Sequence, residues 1–208
     1  MVEKCSICRR AGEKLFLRGE RCLSPKCTLV KRNTPPGKHG KRRSRGVSEY
    51  SRELREKQKL KFWYGLREKQ FKKYVKTALA KRKTVEDIDL FLASKLESRL
   101  DNIVFKLGLA SSRIQARKLI TQKHFLVNGK NCNIPSFEVK KGDTISVKPN
   151  SLKKKIFQNL NLTIKKYQPP TWLELNKEKL EGKKLREPIM EEINLPVEIP
   201  MVLEFYSR

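Results

Sequence analysis

Four of the five cysteines fall in two pairs, Cys5-x-x-Cys8 and Cys22-x4-Cys27, separated by thirteen residues. Two thiols on a short knuckle, facing a second such knuckle across a loop, form the donor set of a tetrahedral thiolate site. The spacing selects one structural zinc ion held by Cys5, Cys8, Cys22 and Cys27. An iron–sulfur cluster on the same four thiolates is the alternative metal reading, and two disulfides are the rival without a metal. Four thiolates on a divalent ion leave a local −2 charge, which Arg9, Arg10, Arg21 and Lys26 can offset. With all four positions filled by the protein, none is open for an activated water, so the clip is structural. Cys132 stands alone and receives no role. The chain has two histidines, His39 and His124, and neither has a nucleophile or an acid spaced around it. No triad or general acid–base pair is legible, and the sequence reads as a non-enzyme with no small-molecule substrate.

The 208 residues contain 49 Lys+Arg and 22 Asp+Glu, a net charge of +27. Residues 1–83 carry +20 of it and residues 84–208 only +7. A like-charged block of this size repels itself when compact, so a polyanion must neutralise it or the segment must stay extended. Nucleic acid is the expected polyanion, ahead of a merely solvated basic surface or an anionic membrane. No apolar run reaches the roughly 18 residues of a membrane span, and no apolar stretch follows the first charges as in a secretory signal. The expected setting is a reducing, cytoplasm-like compartment.

The elements that must position these charges follow from local chemistry. Residues 34–46, TPPGKHGKRRSRG, combine two prolines, three glycines and a basic run, which predicts an extended arm carrying Lys38, Lys41, Arg42, Arg43 and Arg45. Ser48 predicts the cap of a helix that ends near Tyr64 at Gly65 and presents Arg52, Arg55, Lys59 and Lys61. Phe71, Tyr74, Val75, Ala78 and Leu79 mark the apolar stripe of a second helix, with Lys72, Lys73 and Lys76 elsewhere on its surface. Phe62, Trp63 and Tyr64 are expected in the core rather than stacked on bases.

Thr84 with Asp87 reads as a capping box for one helix of nearly six turns, from Ile88 to Leu107, stopped by Gly108. Ser111 or Ser112 opens a shorter helix, with Gln115 completing a capping box after Ser112, Ile114, Leu119 and Ile120 inward and Arg113, Arg117 and Lys118 outward. Asn128-Gly129 predicts a tight hairpin after Phe125-Leu-Val, followed by strands at Phe137-Glu-Val139 and Thr144–Lys148. The expected fold class is α+β: a mainly helical domain, then a helix pair packed on a small antiparallel sheet, with the cysteine clip in front.

The segments SRLDNIVFKLGLASSRIQARKLI, FLVNGK and IPSFEVKKGDTISV are similar to the S-four-type RNA-binding module. Added to GERCLSPKC, PPGKHG, LREKQKLKFWYGL and the terminal LEFYSR, in that order, they resemble the family of bacterial-type small-subunit ribosomal protein four in its zinc-carrying form. The resemblance implies a zinc clip at 1–34, an extended basic arm at 35–47, and a helical domain at 48–90 completed by 190–208. It implies an inserted domain at 91–189 with the RNA-binding module at about 98–160. It further implies a ribosomal protein that binds the 5′ domain of small-subunit (16S) rRNA early in assembly, contacts small-subunit protein five and influences decoding accuracy. On the module the candidate RNA contacts are Arg99, Arg113, Arg117, Lys118, Lys130 and Lys140. Lys123 stands where many members have Gly, at a turn expected to be left-handed. Ile114 replaces a frequently basic residue, and Pro200 is compatible with the last helix only in its first turn.

Overall fold

The computed structural model describes residues 4–37 and 48–207. In chain order the helices are α1 (Lys4–Ala11), α2 (Glu20–Leu23), α3 (Thr28–Lys31), α4 (Glu49–Trp63), α5 (Glu68–Ala80), α6 (Ile88–Glu97), α7 (Leu100–Lys106) and α8 (Arg113–Thr121). Strands β1 (Phe125–Val127), β2 (Lys130–Asn131) and β3 (Thr144–Val147) follow. Then come α9 (Pro149–Leu152), α10 (Lys155–Ile164), β4 (Leu173–Asn176), β5 (Glu181–Lys184) and α11 (Ile199–Ser207). Two units divide the chain within α6: one reaches to Leu92 and resumes at Leu195, and the other is Ala93–Asn194.

In the first unit, the Ser48 hydroxyl accepts the Ser51 N–H and caps α4, and Gly65, at φ 63°, follows its last turn. The apolar stripe of α5 buries Phe71, Val75 and Ala78. Helix α11 lies against α4 and α5, burying Val202 and Leu203, with Pro200 in its first turn. The Tyr206 hydroxyl donates to Glu68 at 2.6 Å, and Glu68 also accepts from Lys57 at 2.7 Å and Lys61 at 2.8 Å. Burial alone would raise the Glu68 pKa, but these three donors outweigh it and hold the carboxyl at about 2.

The second unit packs α7 and α8 on a five-stranded antiparallel sheet of order β2-β1-β3-β5-β4. Leu100, Ile103, Leu107, Leu119, Ile120, Phe125, Ile145, Phe157 and Trp172 are among its buried core. Strand β5 can lie beside β3 because Gly182 has no side chain: a Cβ there would sit 2.3 Å from Leu107 Cδ1. Helix α8 ends with Lys123 in the left-handed region at φ 60°; the Lys123 N–H reaches the Ile120 carbonyl and the His124 N–H the Leu119 carbonyl. This is a Schellman motif whose left-handed position is filled by lysine at a steric cost.

Three expectations require correction. The long helix from Ile88 to Leu107 is two helices, because Ser98 and Arg99 leave the helical path to pair with the following loop. Leu100 N–H bonds the Phe137 carbonyl, Val139 N–H bonds the Ser98 carbonyl, and Arg99 bridges Glu138. Fully buried Lys184 fastens this notch, donating to Ser98 Oγ, the Val139 carbonyl and Glu187 Oε1. For the same reason Phe137–Val139 is not a strand of the sheet. Its place beside β3 is taken by β5, and β4 and β5 come from a segment whose strand character the sequence reading missed. At the start of α6, Asp87 rather than Thr84 is the capping residue: its carboxylate accepts the N–H groups of Asp89 and Leu90, whereas Thr84 bonds the Lys81 carbonyl.

Candidate nucleic-acid interface

Helix α4 sorts its basic residues into two groups. Arg52 and Arg55 are exposed, as a phosphate contact requires. Lys59 and Lys61 are buried, which corrects their expected exposure. Lys59 pairs with Glu13 and Glu56, each at 2.9 Å, and Lys61 with Glu68. Burial works against the Lys59 charge, but its two carboxylate partners prevail and raise its pKa above the ordinary value. Helix α5 adds Lys69, Lys72, Lys73 and Lys76, all exposed, which with Lys81 line a shallow hollow. These cations were not among the sequence-predicted contacts, although their place on the side of the helix away from Phe71, Val75 and Ala78 was a readable signal. Lys38, Lys41, Arg42, Arg43 and Arg45 of the arm lie outside the described residues, as does His39.

On the module, Ser112 caps α8 by accepting the Gln115 N–H, and Gln115 in turn accepts from the N–H of Ser111. Arg113 is buried, not outward: its Nε donates to Asn102 Oδ1 at 2.8 Å and its guanidinium lies 4.7 Å from the centre of the Phe105 ring. Asn102 passes the contact on to Glu97 Oε2 at 2.7 Å. Arg99 is also buried and grips Asp101 through Nε at 3.1 Å and Nη2 at 2.8 Å. The opposite carboxylate oxygen pattern leaves Asp101 Oδ2 shared with Arg117 at 2.9 Å. Arg99 and Arg113 therefore act inside the protein, a second correction. Three arginines and two carboxylates meet here, so the cluster carries a net +1, and Arg117 is the arginine whose side chain remains 34% exposed.

Lys118, Lys130 and Lys140 are exposed as expected. Lys130 opens β2 after the Asn128-Gly129 turn, and Lys140 holds the next turn through its N–H to Asp143 Oδ2. Lys123, Lys141, Lys153, Lys154 and Lys155 are further exposed cations that the sequence reading did not select. His124 has a partner after all, Ser151 Oγ at 2.9 Å from Nδ1, both side chains being buried. Burial, then Lys154 and Lys148, lower its pKa and favour the neutral ring, and among the described residues no carboxylate is hydrogen-bonded to the pair.

Cys8, Cys22 and Cys27 are buried and Cys5 is half-buried, all as free thiols. Backbone N–H groups point at two of the sulfurs, from Leu15 to Cys8 and from Arg18 to Cys22 at 3.4 Å. Burial raises the Cys8 pKa, and Cys22, Cys5 and Cys27 add to the rise through their nearness. The donor chemistry is that of a thiolate site. Among the described residues, however, no three His, Cys, Asp or Glu side chains are gathered closely enough to enclose an ion. Also among the described residues, no helix is long and apolar enough to cross a membrane.

Comparison with known proteins agrees with this distribution of elements. The profile described as "Ribosomal protein S4/S9 N-terminal domain" matches residues 2–96, and the "S4 domain" profile matches residues 98–145. The small ribosomal subunit protein uS4 of Halothermothrix orenii is 48% identical over 204 residues, covering 98% of this chain and 96% of its own length. That of Thermus thermophilus is 45% identical over the same extent, and uS4A of Symbiobacterium thermophilum is 43% identical. Likeness of this degree across both units shows that the chain belongs to the family of the small ribosomal subunit protein uS4.

Proposed function

We propose that this protein is a structural, rRNA-binding constituent of the small ribosomal subunit. It docks on a helical junction in the 5′ domain of 16S rRNA, helps assembly begin there, and touches small-subunit protein five in the finished subunit. The observation that carries this reading is the pairing of whole-length family likeness with exposed cations on both units: Arg52, Arg55 and the α5 lysines on one, Lys118, Lys130 and Lys140 on the other. Phosphate contacts of this kind fix position and orientation, and shape supplies the choice of RNA. The test is binding of the full chain to a transcript of the 16S 5′ domain, in competition with an unrelated structured RNA of equal length. Preference for the transcript is expected; equal binding to both overturns the reading.

Cys5, Cys8, Cys22 and Cys27 would hold one zinc ion, whose role is to order the segment preceding α4, too small for a core of its own. Metal analysis of protein purified under reducing conditions should give about one ion per chain, lost in Cys22→Ser. Wild-type protein without metal overturns the zinc reading.

A further inference from the structure

Within the first unit, α1 and α4 enclose a groove of about 490 Å³, within the size range of small-ligand sites. Ile7, Leu54 and Phe62 give it an apolar, partly aromatic lining. Arg10 and Arg55, both exposed, stand along it, and among the described residues neither has a hydrogen-bond or ion-pair partner. The other two cations of the wall, Lys59 and Lys61, are committed to Glu13, Glu56 and Glu68. Gln58 also lines the groove, and its amide oxygen is shut off from water without accepting a hydrogen bond from any described residue.

We infer that this groove receives one unstacked adenine nucleotide of the rRNA, a site that requires the rRNA-binding reading above to hold. The inference combines three features. An apolar slot with an aromatic edge suits the face of a base pulled out of its stack. Two unpaired guanidinium groups suit the phosphates on either side of that base. A glutamine amide presents a donor and an acceptor side by side, which matches N7 and the N6 amino group of adenine, and its terminal torsion is soft enough to turn toward them. A buried acceptor without a donor is costly in the free protein, and the adenine amino group supplies the donor.

The stability and binding effects of Gln58→Leu have opposite signs. Replacing the unsatisfied amide by a side chain of similar size leaves the free protein's Tm unchanged or higher. If the amide reads adenine, the same variant weakens binding to the 16S 5′-domain transcript by about tenfold, the scale of one such contact. Its slope against log salt stays that of the wild type, since no phosphate contact is lost, whereas Arg55→Gln lowers the slope by about one phosphate. A transcript containing 7-deazaadenine, which lacks N7 but keeps the N6 amino group, should weaken wild-type binding, and Gln58→Leu should cost less on that transcript than on the unmodified one, because only the N6 contact is then left to lose. Loss of affinity in Gln58→Leu that is equal on the two transcripts overturns the adenine assignment. Wild-type affinity in Gln58→Leu overturns the groove while leaving rRNA binding intact. Failure of the wild type to prefer the transcript overturns the functional reading itself.

Discussion

Arg113 illustrates how one turn of helix decides between a stabilising and a binding role. Its Nε satisfies Asn102 Oδ1 in a buried chain that ends at Glu97, whereas Lys118, five residues on, projects into solvent. Removing the Arg113 head leaves a buried acceptor without its donor, at a cost of about 1–3 kcal/mol. Arg113→Met should therefore lower the urea midpoint of unfolding and leave the salt slope of rRNA binding unchanged. Lys118→Ala should do the reverse, with stability within about 0.5 kcal/mol of the wild type and a shallower slope. A normal urea midpoint in Arg113→Met would place its side chain outside the buried chain.

The contact of α11 with α4 and α5 depends on a charged cluster as well as apolar packing. Glu68 accepts from Lys57, Lys61 and Tyr206, and Lys57 Nζ lies 4.7 Å from the centre of the Phe205 ring. The ordinary glutamate pKa of 4.5 is lowered to about 2 here, so folding favours the ionised form. The stabilisation is fully present above about pH 4.5 and is lost as pH falls from there toward about 2. The Glu68 side chain is 46% exposed, and solvent screening keeps the effect modest. Glu68→Gln should be less stable than the wild type at neutral pH, with the difference shrinking across that window in equilibrium unfolding. A difference independent of pH would show that the carboxylate charge contributes nothing.

At the scale of the whole molecule, the governing quantity is the net charge of +27 and its division between compensated and exposed cations. Lys57, Lys59, Lys61, Arg99 and Lys184 are internal and paired with carboxylates, so they add little to attraction at a distance. Exposed cations on both units remain. If they neutralise about six phosphates, log K for the 5′-domain transcript should fall with log salt at a slope of about −4 to −5. A slope near −1, measured by filter binding, would contradict a phosphate-dominated interface. The amino-acid sequence by itself determined the RNA-binding class, the cap at Ser48, a helix start at Ser111 or Ser112 and the tight turn at Asn128-Gly129. Those features rest on composition or on residues close together in the chain. Only the tertiary structure decided that the Ile88–Leu107 segment breaks at Ser98, that β5 lies beside β3, and which cations face solvent. Each of these depends on a partner distant in sequence: Phe137 and Val139 for the break, Leu107 above Gly182 for the strand, and Glu68, Glu13 and Asn102 for the buried cations. Lysine and arginine look alike along a helical period whether they meet water or a carboxylate brought in by the fold, so their exposure cannot be read from spacing alone.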